Sequence, residues 1–163
     1  MSTATTTGTV ERRASWADAC GGKRGDFSLA TTTTEAADLL GMSASKVRRL
    51  CAQAVLPAWW FGNLRFLYGP VVIDFRETVL GAPVDQGVPV FEAVRCRNYW
   101  GEHSTVLIRV LLETSRSLWG HRVTALGEDQ GWVRVRREEI LERIPMAEDR
   151  LGTLTRADRR SRR

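Results

Sequence analysis

Residues 34–50 constrain this chain more than any other stretch. Ala37 is small at a position where two helices would cross closely. Gly41 follows four residues on, where a tight turn favours a positive φ that a β-carbon penalises. Ser43 has the side chain of a helix N-cap, and Thr34 is placed to cap the helix before it. Val47 and Leu50 then return along the second helix to pack on Leu39 and Leu40. A small residue, a glycine and a β-branched residue at this spacing are the steric requirements of two short helices joined by a tight turn. They predict a helix-turn-helix.

With Val47 and Leu50 turned inward, helical periodicity turns Ala44, Ser45, Arg48 and Arg49 outward. The second helix of such a unit enters the major groove of DNA by its N-terminal half. Ser45 and Arg48 are therefore expected at base edges, with Lys46 and Arg49 nearer the phosphates. Thr34, Ser43 and Ala44 complete the set on the two helices. The competing reading is that Arg48 and Arg49 form the solvated face of an ordinary helical hairpin; the steric pattern favours DNA.

Downstream, Leu56-Pro57-Ala58 leads into Trp59-Trp60-Phe61, a turn at Gly62-Asn63, and Leu64-Arg65-Phe66-Leu67-Tyr68. Two β-prone runs around such a turn predict a hairpin wing. Asn63 and Arg65 would then stand beside the second helix and reach a phosphate or the minor groove. One of Trp59 and Trp60 is expected to face inward and the other outward, since successive strand residues alternate. Pro70, at a first-turn position, opens a further helix running to Leu80.

The run Glu-Ala-Ala-x-Leu-Leu-Gly-Met-Ser, then Lys-Val-Arg-Arg-Leu, Leu-Pro-Ala, Gly-Asn and Arg-Phe resembles the excisionase and MerR-like winged helix-turn-helix family. Residues 70–75 resemble that family's closing helix. The resemblance covers about 50 of the 163 residues. It implies binding to double-stranded DNA in an excisionase, a regulator or a phage DNA-packaging subunit. Ala54 stands where a glycine usually precedes the Leu-Pro pair.

The rest of the chain is read more coarsely. Residues 1–28 are rich in Thr, Gly and Ala and read as a flexible arm, with Trp16 able to dock on the body. The wing and helices occupy 29–80, and the Pro- and Gly-rich stretch 81–89 is a linker. Residues 90–155 are expected to form a helical domain, and 156–163 a basic tail. The fold class expected is thus mainly α, with a small β-hairpin wing. Residues 133–155 could hold a second helix-turn-helix, giving Arg134, Arg136, Arg137 and Arg150 as further DNA contacts. The same stretch reads equally as a dimerisation or partner-binding domain. In either case Arg156, Arg159 and Arg160 of the basic tail could add phosphate contacts.

A net charge of +5 suits a polyanionic partner. Lys23 and Lys46 are the only lysines among 24 basic residues. Arginine's planar fork suits phosphates and guanine edges, though a GC-rich genome gives the same bias. Cys20, Cys51 and Cys96 lie far apart, and His103 and His121 are isolated, so no metal site or cofactor is expected. The odd cysteine count, without a signal peptide, fits a reducing cytoplasm. No run of apolar residues suggests a membrane span. Residues 90–163 carry no catalytic signature, and the chain is not expected to be an enzyme. Layout, size and arginine content resemble the immunity repressors of some actinobacterial phages. That resemblance makes a repressor, monomeric or a small homo-oligomer, the leading expectation. An excisionase-like architectural protein, a terminase small subunit assembling through C-terminal helices, and a bare interaction module are the alternatives.

Overall fold

A computed structural model describes residues 15–22, 25–84, 89–98 and 100–146. The chain enters through a one-turn helix α1 (Trp16–Ala19), whose Ser15–Asp18 capping box closes its start. A 3-10 turn (Phe27–Leu29) and a short strand β1 (Ala30–Thr32) follow. The helix-turn-helix comes next, as α2 (Thr33–Leu40) and α3 (Ala44–Ala52). Strands β2 (Trp59–Phe61) and β3 (Leu64–Tyr68) form the hairpin, and α4 (Gly69–Thr78) closes the unit with Pro70 in its first turn. β1 adds to the hairpin on the β3 side, making a three-stranded antiparallel sheet in the order β1-β3-β2.

The turn is built as its residues require. Gly41 has φ +64° and ψ +35°. Its N–H and that of Met42 bond back to Asp38 O and Ala37 O, which satisfies carbonyls that α2 would otherwise leave open. Ala37, Leu39, Leu40 and Val47 are buried together with Leu67, Val72 and Ile73. Arg76 of α4 donates to Leu39 O at 2.6 Å and so fastens the end of α2 to the closing helix.

Residues 90–146 are not helical. They form β4 (Val90–Arg97), β5 (His103–Glu113), β6 (Ser117–Val123), β7 (Asp129–Arg136) and β8 (Ile140–Met146). All pairs are antiparallel, in the order β7-β6-β5-β4-β8. The described residues are 42% strand and 30% helix, so the mainly α expectation is corrected to a mostly β molecule. Within the domain expected to be helical, residues 105–118 run through β5 into the start of β6. Residues 136–144 are the end of β7, the 3-10 turn and most of β8, with Pro145 lying inside β8 opposite Glu92. The cause is burial of β5 on both faces. Val106 and Ile108 point one way, Leu107 and Leu111 the other, and all four contribute to apolar clusters. Two-sided burial removes the alternation that marks a half-buried strand and mimics helical spacing. The second helix-turn-helix falls with this correction over 133–146; residues 147–163 lie outside the described residues. Within the expected linker, Val84 is buried in the N-terminal core.

β7 and β8 are the two edges of the sheet, yet only the 3-10 turn Arg137–Glu139 joins them. In a flat five-stranded sheet the edges lie four spacings, roughly 19 Å, apart. From Arg136 to Ile140 the chain reaches at most about 14 Å. The sheet must therefore curl, and Val94, Val106, Ile108, Leu118 and Val135 fill one of its faces as a separate core. Charge closes the rim. Arg143 of β8 grips Glu92 through Nε and Nη2 at 2.7 and 2.9 Å, and its Nη1 reaches Glu113 at 2.7 Å. Arg137 donates to the same Glu113 at 2.6 Å and to Thr114 O at 2.8 Å.

The other face of the sheet docks on the N-terminal unit. Trp119 is 1% exposed and belongs to the helix-turn-helix core, as do the half-buried Leu111, Leu112 and Trp132. A β-carbon added at Gly69 would collide with the Trp119 ring, so only glycine lets the indole seat under the start of α4. Arg134, with a side chain 7% exposed, donates to Ala30 O at 2.7 Å and to Glu35 Oε2 at 3.1 Å. Its guanidinium also lies 5.5 Å from the centre of the Trp119 ring. At the rim, Ser115 and Arg116 both meet Asp38 of α2 at 3.3 Å.

Replacing Arg134 with Met should strand Glu35 and cost about 3 kcal/mol in urea unfolding. Adding Glu35→Gln should recover part of the loss, because Gln can still complete the α2 cap. Hydrogen bonding to Arg143 holds the Glu113 carboxyl below its ordinary range. Its contribution is complete above the unfolded Glu pKa, about 4.3, and fades as pH falls through the depressed folded value. Glu113→Gln should therefore flatten the acid limb of a stability–pH profile; an unchanged limb would place that dependence elsewhere.

Candidate nucleic-acid interface

The second helix of the pair begins at Ser43, whose Oγ accepts from Lys46 N at 3.2 Å. Val47 is fully buried, and Leu50 and Cys51 pack against the same core, which turns the opposite face to solvent. Ser45, Lys46, Arg48 and Arg49 are all exposed there, while Ala44 is half-buried on the core side. Among the described residues no carboxylate pairs with Lys46, Arg48 or Arg49; Arg48 Nη2 donates only to Ser45 Oγ, at 3.3 Å. Exposed Arg95, Arg97 and Arg122 of the C-terminal sheet likewise face no carboxylate among the described residues, whereas Arg116, Arg134, Arg136, Arg137 and Arg143 do.

The cap of α2 is Thr32, not Thr34. Thr32 Oγ1 accepts from Glu35 N at 3.2 Å, and Glu35 Oε2 accepts from Thr32 N at 3.3 Å. The cap sits two residues earlier than Thr34 because β1 delivers Thr32 in extended geometry. Thr34 is instead a first-turn residue of the helix. With Thr32, Thr33, Arg48, Asn63 and Arg65 it lines a groove of about 360 Å³ between α2 and the hairpin.

The hairpin turn is tight. Phe61 pairs with Leu64, Gly62 takes φ +58°, and Asn63 is exposed at the apex. A glycine in the left-handed region at the first central position suits a turn whose twist matches the strands. Arg65 lies against α3 and not in open solvent. Its Nη1 donates to Arg48 O at 3.1 Å, and the guanidinium sits 4.4 Å over the Trp60 ring. Burial pushes the Cys51 thiol up, with the nearby Arg65 charge opposing it. Arg65 thus braces the hairpin on the second helix. Trp59 and Trp60 do face opposite sides, but each is covered. Trp60 carries Arg65, and Trp59 lies 5.6 Å from Trp16 of α1 and 5.8 Å from Phe27.

The arginines expected to make a second contact separate. Arg134 is spent on the joint between the two halves. Arg137 is tied to Glu113, and Arg136 is half-exposed at 3.9 Å from Glu138. Arg136, Arg137 and Arg116 border a groove of about 530 Å³ that also reaches Thr32 and Glu35. Arg150, Arg156, Arg159 and Arg160 lie outside the described residues. His121 bonds Asp129 through Nδ1 at 2.5 Å, and His103 contacts Arg95 at 3.3 Å. Among the described residues no group of three His, Cys, Asp or Glu is placed to hold a metal, and no helix is long and apolar enough to cross a membrane.

Ala54 resolves how the second helix ends. The N–H of Ala54 bonds Cys51 O and that of Val55 bonds Leu50 O, at 3.1 and 3.0 Å. This is the same closing motif that Gly41 and Met42 make on α2. Ala54 adopts φ +56°, the only positive φ of a non-glycine among the described residues. Alanine pays roughly 1 kcal/mol for that geometry. Ala54→Gly should raise the thermal midpoint, by an amount limited by the greater entropy of unfolded glycine. A lowered midpoint would show that the motif does not control the helix end.

No protein-family model, no curated protein and no solved structure matches this chain.

Proposed function

We propose that this protein binds double-stranded DNA in a sequence-specific manner through α3 and acts as a transcriptional repressor by occupying its site. One observation carries the reading: Ser45, Lys46, Arg48 and Arg49 share an exposed helix face with no carboxylate partner among the described residues. Uncompensated cations on the exposed face of a helix that follows a tight turn suit a groove edged by phosphates. Arg48, hydrogen-bonded to Ser45, is preset for a base edge, and Arg49 and Lys46 lie beside it for the backbone. The excisionase and MerR-like resemblance of residues 34–75 and the net charge of +5 support the same activity. The packaging alternative relied on C-terminal helices for ring assembly, and residues 90–146 are strands. The excisionase-like alternative shares the DNA contact and differs in acting through arrays of sites.

Selection of bound fragments from a genomic library tests the reading. Single discrete sites at promoters fit a repressor, whereas clustered repeats fit an architectural protein. Arg48→Ala with Arg49→Ala should weaken binding to a selected fragment by about 2–4 kcal/mol and erase preference over random DNA. The slope of log affinity against log salt should also become shallower by about one for each phosphate that the variant no longer neutralises. Undiminished discrimination in that variant would show that α3 is not the reading element.

A further inference from the structure

The β2–β3 hairpin is held on both faces and bare at its end. On one face Arg65 joins it to α3 and stacks on Trp60. On the other, Trp59 packs against Trp16, Phe27 and Phe66, with ring centres 5.6, 5.8 and 6.1 Å away. Phe61 continues this aromatic series, 5.6 Å from Trp59 with ring planes 35° apart. Beyond it the cover stops. Phe61 is 64% exposed and Leu64 is 61% exposed. The two are directly paired across the turn, so their side chains emerge next to each other on one face. The tip is therefore an apolar pair on a stiff mount.

We propose that Phe61 and Leu64 form a wedge that enters a base step from the minor groove, unstacks it and unwinds the duplex. This rests on the reading of α3 as the DNA-contacting helix. The charge around the tip argues for nucleic acid over an apolar protein surface. The hairpin is fixed to the helix that carries Lys46, Arg48 and Arg49. The groove beside Leu64 is lined by threonines, Asn63, aromatic rings and two arginines, without a carboxylate. An apolar protein partner would bury those cations unpaired, whereas a phosphate backbone neutralises them. The minor groove, about 6 Å wide, admits a narrow ribbon, and Phe and Leu are among the side chains that part stacked bases there. The tip and α3 would then act on neighbouring stretches of one duplex, the cations supplying affinity and the wedge supplying distortion.

The test uses the full chain, a closed-circular plasmid carrying the bound fragments selected from the genomic library and relaxed by topoisomerase I in its presence, and the same plasmid linearised for band shifts. The wild type should shift the linear DNA and lower the linking number of the circle. Phe61→Ser with Leu64→Ser should shift the linear DNA at a similar concentration and lose the linking-number change. Phe61→Leu, which keeps an apolar tip, should retain it. A wild type that shifts DNA without changing its linking number overturns the wedge and leaves DNA binding intact. So does a double serine variant that unwinds as well as the wild type. A folded double variant that no longer shifts DNA makes the tip an affinity contact and overturns the wedge as well. If the wild type shifts no DNA at all, the reading of α3 fails and the wedge falls with it.

Discussion

Because only Arg137, Glu138 and Glu139 join β7 to β8, the opposite edges of the C-terminal sheet have to be brought towards each other. That closure decides which side chains become an interior. Val94, Ile108, Leu118 and Val135 turn into the curl, and the Glu92–Arg143–Glu113–Arg137 chain seals the rim where the edges approach. The other face is left holding Trp119 and Trp132, whose apolar rings favour burial, and Arg134, which needs polar partners once it is withdrawn from water. The N-terminal unit covers this face, with Trp119 under Gly69 and Arg134 on Glu35 and the Ala30 carbonyl. Curling the sheet thus determines what is available to hold the helix-turn-helix.

The joint has a mechanical consequence for α2. Its first turn is capped by Thr32 and Glu35, and the same Glu35 receives Arg134 from β7. Asp38, one turn on, receives Ser115 and Arg116 from the loop between β5 and β6. The buried pair is the costlier one to break, because either partner left alone would be an uncompensated charge withdrawn from water, while Arg116 is more than half exposed. The helix that supports α3 is therefore anchored by residues 77 to 99 positions away in the chain.

How much of this could be read from the sequence depends on whether the deciding contacts are local. Ala37, Gly41, Ser43 and Val47 interact within a dozen residues through sterics and capping, and the structure places each as its chemistry demands. The hairpin was legible for the same reason, from Gly62-Asn63 and the β-prone runs beside it. Thr34 failed by two residues because the preceding chain is a strand paired to β3, which no local pattern announces. The C-terminal half failed for a deeper cause. β5 is buried on both sides, so its apolar residues follow no single period, and helical spacing emerges by coincidence. Alternation of Val133, Arg134, Val135 and Arg136 was the signal that favoured a strand there. Arg134 itself was read as a surface contact because arginine is seldom withdrawn from water, and its partners lie near the other end of the chain.

The bond from Arg65 to the Arg48 carbonyl ties the hairpin to the second helix, and the rings behind Trp59 brace the hairpin from its far side. A surface mounted in this way has little compliance of its own. Whatever docks across both elements has to supply the deformation, so its pliability enters the free energy of fit along with its pattern of donors and acceptors. For a double helix, that means base steps that stack weakly are favoured at the tip even where no side chain reads their edges.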